Sequence, residues 1–265
     1  MKTQMKRFTL LLLALLGTAA GVAAQDFSVI DPMCEYRDQP VGINTLTPRF
    51  SWRITSRERG FEQSAYELIV GDDRAAVAAG RGNLWRVKGK GAESLHIPYQ
   101  GKALKSGEEY YWSVRVWDAA GKASPWSPVN RFSTGLMSPD DWSGARWIAL
   151  EVQPDSMRIV PGEEYNKLTI GDRITAPNKL PQFRREIDVR KPVKRATAYV
   201  SGLGQFEFFL NGEKVGDNFL DPAWSDYDKI VCYVPFDVTG QLQQGANVLG
   251  AVSYTHLRAH ETRGN

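Results

Sequence analysis

YYWSVRVWD, residues 110–118, is the stretch of the chain that decides its fold. Trp112, Val114 and Val116 stand at alternate positions, so their side chains point to one face of an extended backbone, and those of Ser113 and Arg115 point to the other. This period of two is typical of a β-strand that buries one face in a core. A helix would place its apolar residues three or four positions apart, so the segment predicts a strand.

Similar strands precede it. Residues 48–54 alternate in the same way, and residues 65–70 form a further apolar run. Turn signals containing glycine separate the runs, and residues 72–79 predict one short helical turn. Several short strands at this spacing predict a β-sandwich of the immunoglobulin or fibronectin type III kind over residues 27–136.

A second group of strands follows a stretch rich in proline. Residues 146–148 predict its first strand, whereas residues 151–181 contain four prolines, lack periodicity and predict a long surface loop. Alternating strands return at Gln182, and Asn211-Gly212 between two of them suits the type I′ turn of a hairpin. The chain is therefore predicted to be all-β, with a second β-domain over residues 137–251.

The N-terminus has the features of a secretory signal peptide. A basic start is followed by an apolar run over residues 8–16 and by small residues up to Ala24. Residues 1–24 are therefore predicted to be removed. An uncleaved membrane anchor is the competing interpretation, but the apolar run is short for a bilayer span. We expect a secreted or periplasmic protein with no membrane association once the signal is removed.

Residues 252–265 are predicted to be a non-native tail, because they resemble one reading frame of a transposase-type sequencing adapter. The signal peptide carries three positive charges and the tail a net one, so without both segments the formal net charge falls from +3 to −1. The basic balance is then not a property of the folded domains. This argues against a nucleic-acid partner or an anionic membrane.

Histidine and cysteine offer little for nucleophilic or metal chemistry. His96 is the only histidine outside the tail, and without a nucleophile-elbow motif we interpret it as an exposed residue of a strand over residues 94–99. Cys34 and Cys232 lie far apart and show no zinc-type spacing. They could pair in an oxidising compartment, but two separate free thiols are the better interpretation.

Motifs in both domains resemble bacterial α-L-rhamnosidases. They include PRFSW (48–52), WSVRVWD (112–118), SPWS (124–127), LNGEKVGD (210–217) and LDPAW (220–224). A mild departure is Arg86-Val-Lys88, where the family usually shows Asp-Ser-Gly. The resemblance implies a fibronectin-like domain followed by a jelly-roll-like domain, which would be incomplete here.

The resemblance also implies a chemistry. Inverting glycosidases use one carboxylic acid to protonate the leaving oxygen and an opposing carboxylate to activate water. In α-L-rhamnosidases both groups lie in a downstream (α/α)₆ barrel, so we assign no catalytic residue to this chain. The parent protein is expected to be a glycoside hydrolase, its downstream catalytic domain a partner of this region, and the chain by itself inactive.

Asn211, Asp221, Trp224 and Asp226 are the candidate sugar-binding residues. Domains resembling the second one act in some rhamnosidases as calcium-using rhamnose-binding modules, and these residues combine a stacking face with oxygen ligands. Asp221, Asp226 and Asp228 are the candidate calcium ligands, since calcium takes several oxygens, although no EF-hand spacing is present. The competing interpretation is local, with Asn211 as a turn residue and Asp221-Pro222 as the start of a loop.

Three functions remain open at this point. The first is an accessory region of a secreted α-L-rhamnosidase that acts on rhamnosylated glycans. The second is a lectin-like surface module without hydrolase activity, and the third is a pure scaffold for a catalytic barrel.

Overall fold

The computed structural model describes residues 26–149 and 181–253. The predicted signal peptide, residues 151–180 of the predicted loop and residues 254–265 of the predicted tail lie outside them. The regular secondary structure of the described residues is almost entirely β-strand, as predicted, and these residues form two compact units. The first unit comprises the described residues up to Gln39, Thr47–Lys102 and Tyr110–Arg131, and the second comprises Pro40–Leu46, Ala103–Glu109 and the residues from Phe132 onward. No helix in this part of the chain is long and apolar enough to cross a membrane.

The immunoglobulin-like half contains two sheets. Its elements in chain order are β1 (Phe27–Cys34), β2 (Arg49–Ser56), β3 (Gln63–Gly71), α1 (Arg74–Ala78), β4 (Trp85–Lys90), β5 (Ile97–Pro98), β6 (Glu109–Asp118) and β7 (Asn130–Ser133). The strand orders are β1-β2-β5 in one sheet and β4-β3-β6-β7 in the other. β3 pairs antiparallel with β4 on one side and with β6 on the other.

The core of the first unit lies between its two sheets and is built largely from aromatic rings. Phe50 on β2 lies 4.7 Å from Trp112 on β6, measured between ring centroids, and Trp52 lies 5.1 Å from Tyr66 on β3. Trp112 is fully buried together with its alternate neighbours on β6, as the period of two predicted. Trp52 and Trp112 therefore pack the core and offer no surface to a ligand.

The face of the β4-β3-β6-β7 sheet that points away from this core carries a buried charge. Glu67 on β3 is fully buried. One of its carboxylate oxygens forms an ion pair with Arg86 Nη2 at 2.7 Å, and the other forms an ion pair with Arg115 Nη2 at 2.6 Å. Lys88 Nζ stands 3.7 Å from the same carboxylate. We call these four residues the Glu67 cluster. Burial raises the pKa of Glu67, but the hydrogen bonds and charges of Arg115 and Arg86 outweigh it and hold that pKa below its usual range.

The SPWS segment attaches through its serines to the edge of β6 that faces away from β3. The Ser124 and Ser127 backbone N–H groups donate to the carbonyls of Val116 and Val114, each at 2.8 Å. The two hydroxyl oxygens accept from the N–H groups of the same valines at 3.0 and 3.1 Å. Each serine thus satisfies both backbone groups of one strand residue.

This attachment places Trp126 over the Glu67 cluster. The guanidinium carbon of Arg115 lies 4.7 Å from the Trp126 ring centroid and 4.9 Å from that of Trp117. Both distances are within the range of cation–π attraction. Arg115 is therefore held by a carboxylate and by two indole rings.

Gly89 on β4 is required by a close approach rather than by a turn. A Cβ atom there would lie 2.1 Å from Cε1 of Tyr66, whose buried ring cannot move into solvent. Gly89→Ala is expected to lower the free energy of unfolding by about 1–3 kcal/mol, because the neighbouring core must shift. Urea denaturation checks this. Gly240→Ala is the control, since an added Cβ there meets no heavy atom within 4 Å, and equal losses in the two variants would contradict the prediction.

The second unit contains two sheets. Its elements are a short 3₁₀ helix at Pro139–Trp142, then β8 (Gln182–Val189), β9 (Thr197–Ser201), β10 (Phe206–Leu210), β11 (Glu213–Lys214), β12 (Tyr233–Asp237) and β13 (Gly245–Ser253). One sheet has four strands in the order β11-β10-β13-β8, and the other pairs β12 with β9. The core is formed by the buried residues Phe206, Phe208, Leu210, Val215, Phe236 and Val238.

The turn between β10 and β11 has the predicted geometry. Asn211 and Gly212 both have positive φ, at 53° and 87°. A type I′ turn requires positive φ at both central residues, and asparagine and glycine tolerate it best. The hairpin prediction at this position is confirmed.

Two strand predictions fail. Residues 146–148 form no strand, and Trp147 and Ile148 are exposed, because in the described residues this segment has no neighbouring strand to complete a ladder. The strand predicted over residues 94–99 is reduced to Ile97–Pro98. His96 is exposed, as predicted, but its φ of 57° is left-handed and incompatible with an extended strand.

Neither cysteine forms a disulfide in the structure. Cys34 is buried in the first unit, and burial raises the pKa of its thiol. Cys232 is half-buried in the second unit. A thiol held in its protonated form is a poor nucleophile, so Cys34 serves packing.

Candidate functional site

The candidate sugar-binding residues lie on the connection from β11 to β12, with Asn211 in the preceding hairpin turn. We call residues 217–230 of this connection the β11–β12 loop. Its most conspicuous side chain is Trp224, which is 67% exposed. An exposed indole can stack on the apolar face of a sugar ring, so Trp224 suits the predicted role.

Asp221 is anchored to the second unit. Its carbonyl accepts a hydrogen bond from the N–H of Phe206 at 2.8 Å, which ties the loop to the first residue of β10. Its carboxylate accepts from Asn218 Nδ2 at 2.8 Å. The peptide bond between Asp221 and Pro222 is cis. The hydrogen bond to Phe206 therefore makes Asp221 an anchor of the loop. Asp221 also precedes the exposed Trp224 by three residues in the sequence.

Asp226 closes a turn at the far end of the loop. One carboxylate oxygen accepts from the N–H of Asp228, and the other lies 2.7 Å from Lys229 Nζ. The Asp226 carbonyl accepts from the N–H groups of Lys229 and Ile230. Asp228 is exposed. The Asp226 carboxylate is solvent-accessible, but a ligand would have to compete with this lysine.

Asn211 is engaged away from the loop. Its Nδ2 donates to the Gln241 carbonyl at 3.1 Å and to Asn247 Oδ1 at 3.0 Å, and its Oδ1 accepts from the N–H of Val248 at 2.9 Å. Both ends of the amide are therefore occupied within the second unit. These contacts favour the interpretation of Asn211 as a structural turn residue.

The described residues do not assemble a calcium site from Asp221, Asp226 and Asp228. In residues 26–149 and 181–253, no three His, Cys, Asp or Glu side chains are grouped closely enough to hold a metal ion. Asp221 and Asp226 bind Asn218 and Lys229 instead. Two of the three proposed ligands thus already have protein partners.

The loop also exposes apolar side chains that the sequence analysis did not single out. Phe219 is 83% exposed, and Leu220, Tyr227 and Ile230 are exposed as well. A monomer surface rarely collects this much apolar area without a binding role. The signal was present in the sequence as five large apolar residues in an otherwise acidic loop, but only the structure shows that they point outward.

A glycosidase general acid needs a raised pKa. Four carboxyl groups of the described residues have a clearly shifted pKa, and in each of them it is lowered. These groups are Asp26, Glu35, Glu67 and Asp141. For Asp141 the cause is a hydrogen bond from Ser106 Oγ together with N–H groups of Ser138 and Met137, so it serves as a cap for the 3₁₀ helix.

Two family models match the chain. Residues 29–138 match the Rha78A-like N-terminal immunoglobulin domain. Residues 191–254 match the α-L-rhamnosidase N-terminal domain. The matches fall on the immunoglobulin-like sandwich and on the part of the second unit that carries the β11–β12 loop.

Similar proteins are much longer than this chain. An α-L-rhamnosidase of Formosa agariphila is 37% identical over 220 residues, which cover 82% of this chain and 23% of that protein. The structure of α-L-rhamnosidase from Dictyoglumus thermophilum aligns with a TM-score of 0.71 at 33% identity, over 85% of this chain and 25% of that one. The α-L-rhamnosidase of Aspergillus terreus aligns with a TM-score of 0.68 at 28% identity, over 86% of this chain and 24% of that one. The chain spans about a quarter of the length of these relatives.

Proposed function

The chain is the N-terminal region of an α-L-rhamnosidase, and from this premise we propose that it is the accessory region of a secreted or periplasmic enzyme. That enzyme hydrolyses terminal α-L-rhamnosyl groups. The region comprises an immunoglobulin-like domain followed by the α-L-rhamnosidase N-terminal domain. Its partners are rhamnosylated glycans and the catalytic part of the same protein. Nucleic acid and membranes are not among them.

Within this role we propose that the β11–β12 loop contacts the glycan. The observation that carries the proposal is the exposed indole of Trp224, which lies in the loop sequence between Asp221 and Asp226. The indole offers an apolar face to a sugar ring, and the carboxylates accept hydrogen bonds from sugar hydroxyls. Asn211 contributes by shaping the neighbouring turn and not by direct contact.

Calorimetry with L-rhamnose tests the sugar contact. Trp224→Ala is expected to weaken binding about tenfold or more, because the stacking face is lost. Trp147→Ala is the matched control, since Trp147 is 64% exposed but lies outside the loop. The same titration with and without calcium tests the metal. If the wild-type chain binds no rhamnose in either condition, the region is a scaffold and the sugar contact is refuted.

A second experiment tests the division of labour between this region and the rest of the enzyme. The purified chain is expected to leave an aryl α-L-rhamnoside intact, because the resemblance to α-L-rhamnosidases assigns both catalytic carboxyl groups to a downstream barrel. The four described carboxyl groups with a clearly shifted pKa also have it lowered, whereas a general acid needs it raised. Turnover by the pure chain would refute the assignment as an accessory region.

A further inference from the structure

The Glu67 cluster contains more positive than negative charge. One carboxylate faces the guanidinium groups of Arg86 and Arg115 and the ammonium group of Lys88. The two arginines donate hydrogen bonds to opposite oxygens, at 2.8 Å from Nε in each case. Lys88 at 3.7 Å is beyond hydrogen-bonding distance and keeps three N–H donors for another acceptor. The cluster therefore has a net charge of about +2 at neutral pH.

β4 extends this positive charge along the edge of the sheet. Arg86, Lys88 and Lys90 occupy alternate positions on the strand, so their side chains point to the same face, and all three are exposed. β4 is the terminal strand of its sheet. We call Arg86, Lys88, Lys90 and Arg115 the basic face.

Lysines on a terminal strand have a general role, because they discourage edge-to-edge pairing of sheets. That role does not require arginines gathered over a buried carboxylate. It also does not require indole rings, yet half-buried Trp117 and Trp126 flank Arg115 at 4.9 and 4.7 Å. Cations spaced along a strand beside aromatic rings suit a ligand that carries repeated negative charges on sugar rings.

We propose that the basic face binds an anionic polysaccharide, one that bears carboxylate or sulfate groups along its chain. Adjacent same-face side chains on β4 are about 7 Å apart, twice the rise per residue, so Arg86, Lys88 and Lys90 can meet successive charged groups of an extended polymer. Lys88 and Lys90 supply the charge, and Trp126, which contacts Arg115 of the same basic face, offers a surface for a sugar ring. This surface is in the first unit, separate in sequence from the β11–β12 loop.

The choice of a glycan over another polyanion rests on the proposed function, because a region of an α-L-rhamnosidase meets polysaccharides. The two proposals fail independently. The β11–β12 loop would recognise a neutral rhamnosyl group, whereas the basic face would recognise charge on the polymer that carries it.

Affinity electrophoresis of the full chain at low ionic strength tests the proposal, with polygalacturonate as the acidic probe and dextran as the neutral one. The wild-type chain is expected to be retarded by polygalacturonate and not by dextran, and added salt should release it. The double variant Lys88→Gln/Lys90→Gln is expected to bind polygalacturonate about fivefold more weakly, since two charge contacts are lost. Both lysines are exposed, and thermal unfolding checks that the variant remains folded.

Lys191→Gln/Lys194→Gln is the matched control, because it removes the same charge from exposed positions of the second unit. Its affinity for polygalacturonate should stay within about twofold of the wild type. Equal loss in both double variants would show a response to net charge alone and would overturn the proposal, as would the absence of retardation of the wild-type chain. Trp224→Ala should leave this binding unchanged, so the loss of rhamnose binding with retention of polygalacturonate binding would refute only the sugar contact of the loop.

Discussion

Replacing Glu67 with alanine is expected to lower the free energy of unfolding of the first unit by about 3–5 kcal/mol. The carboxylate is fully buried, and its removal leaves the guanidinium groups of Arg86 and Arg115 facing each other without a counter-charge. The contacts of Arg115 with the Trp117 and Trp126 rings restrict the movement of that guanidinium into water. The loss is therefore much larger than for a surface ion pair.

The pH dependence of this effect has a defined sign. The folded-state pKa of Glu67 lies below its ordinary value of 4.5, so the carboxylate stabilises the fold when the pH is above that ordinary value. The stabilisation is lost as the pH falls through the lower folded-state pKa. The difference between wild type and Glu67→Ala should thus be constant at neutral pH and shrink in acid.

Hydrogen exchange of the β3 and β6 amides, measured across a urea series at several pH values, checks both expectations within the first unit. Glu62→Ala is the control, since Glu62 is an exposed glutamate close to the start of the first unit's central strand β3, and it should change stability little. Glu67→Gln should fall between wild type and Glu67→Ala, because it keeps the shape and loses the charge. A Glu67→Ala variant as stable as the control would show that the cluster does not hold the sheet together.

Replacing Asn247 with alanine is expected to cost the second unit about 2–4 kcal/mol. Asn247 is almost fully buried, and its amide is completely used. Nδ2 donates to the carbonyls of Gln243 and Gly245 at 2.7 and 2.9 Å, and Oδ1 accepts from the N–H of Gln243 and from Asn211 Nδ2 at 2.9 and 3.0 Å. Alanine would leave several of these groups buried without a partner.

The loss should be local as well as global. Asn211 bonds to Asn247, and its Oδ1 holds the N–H of Val248, so the β10–β11 turn should loosen together with the start of β13. Faster hydrogen exchange at Val248 and Gln243 measures this. Asn218→Ala is the matched control because Asn218 is exposed and bonds to a single carboxylate. A protein unaffected by Asn247→Ala would show that the network adds nothing to stability.

Local patterns predicted most of the strands and the hairpin. The alternation of Trp112, Val114 and Val116 requires only neighbouring residues, so the strand and its buried face follow from a few positions of sequence. The hairpin turn at Asn211-Gly212 is likewise predicted from neighbouring residues, because asparagine and glycine tolerate the positive φ values that the turn requires. β1 was not predicted, since Asp31-Pro32 and the register shift between Ile30 and Met33 interrupt its alternation. β4 was not predicted, since its only large apolar residues are Trp85 and Val87.

The sequence by itself therefore determined the all-β class, the faces of the main strands, the hairpin turn and the resemblance to α-L-rhamnosidases, because each depends on residues close together in the chain. Only the tertiary structure decided that Glu67 is buried between Arg86 and Arg115, that Asn211 is bound to Asn247, and that the apolar side chains of the β11–β12 loop face outward. The partners in the first two cases lie 19, 48 and 36 residues apart. Contacts over such separations arise from strand register and sheet order, which no short window of sequence contains.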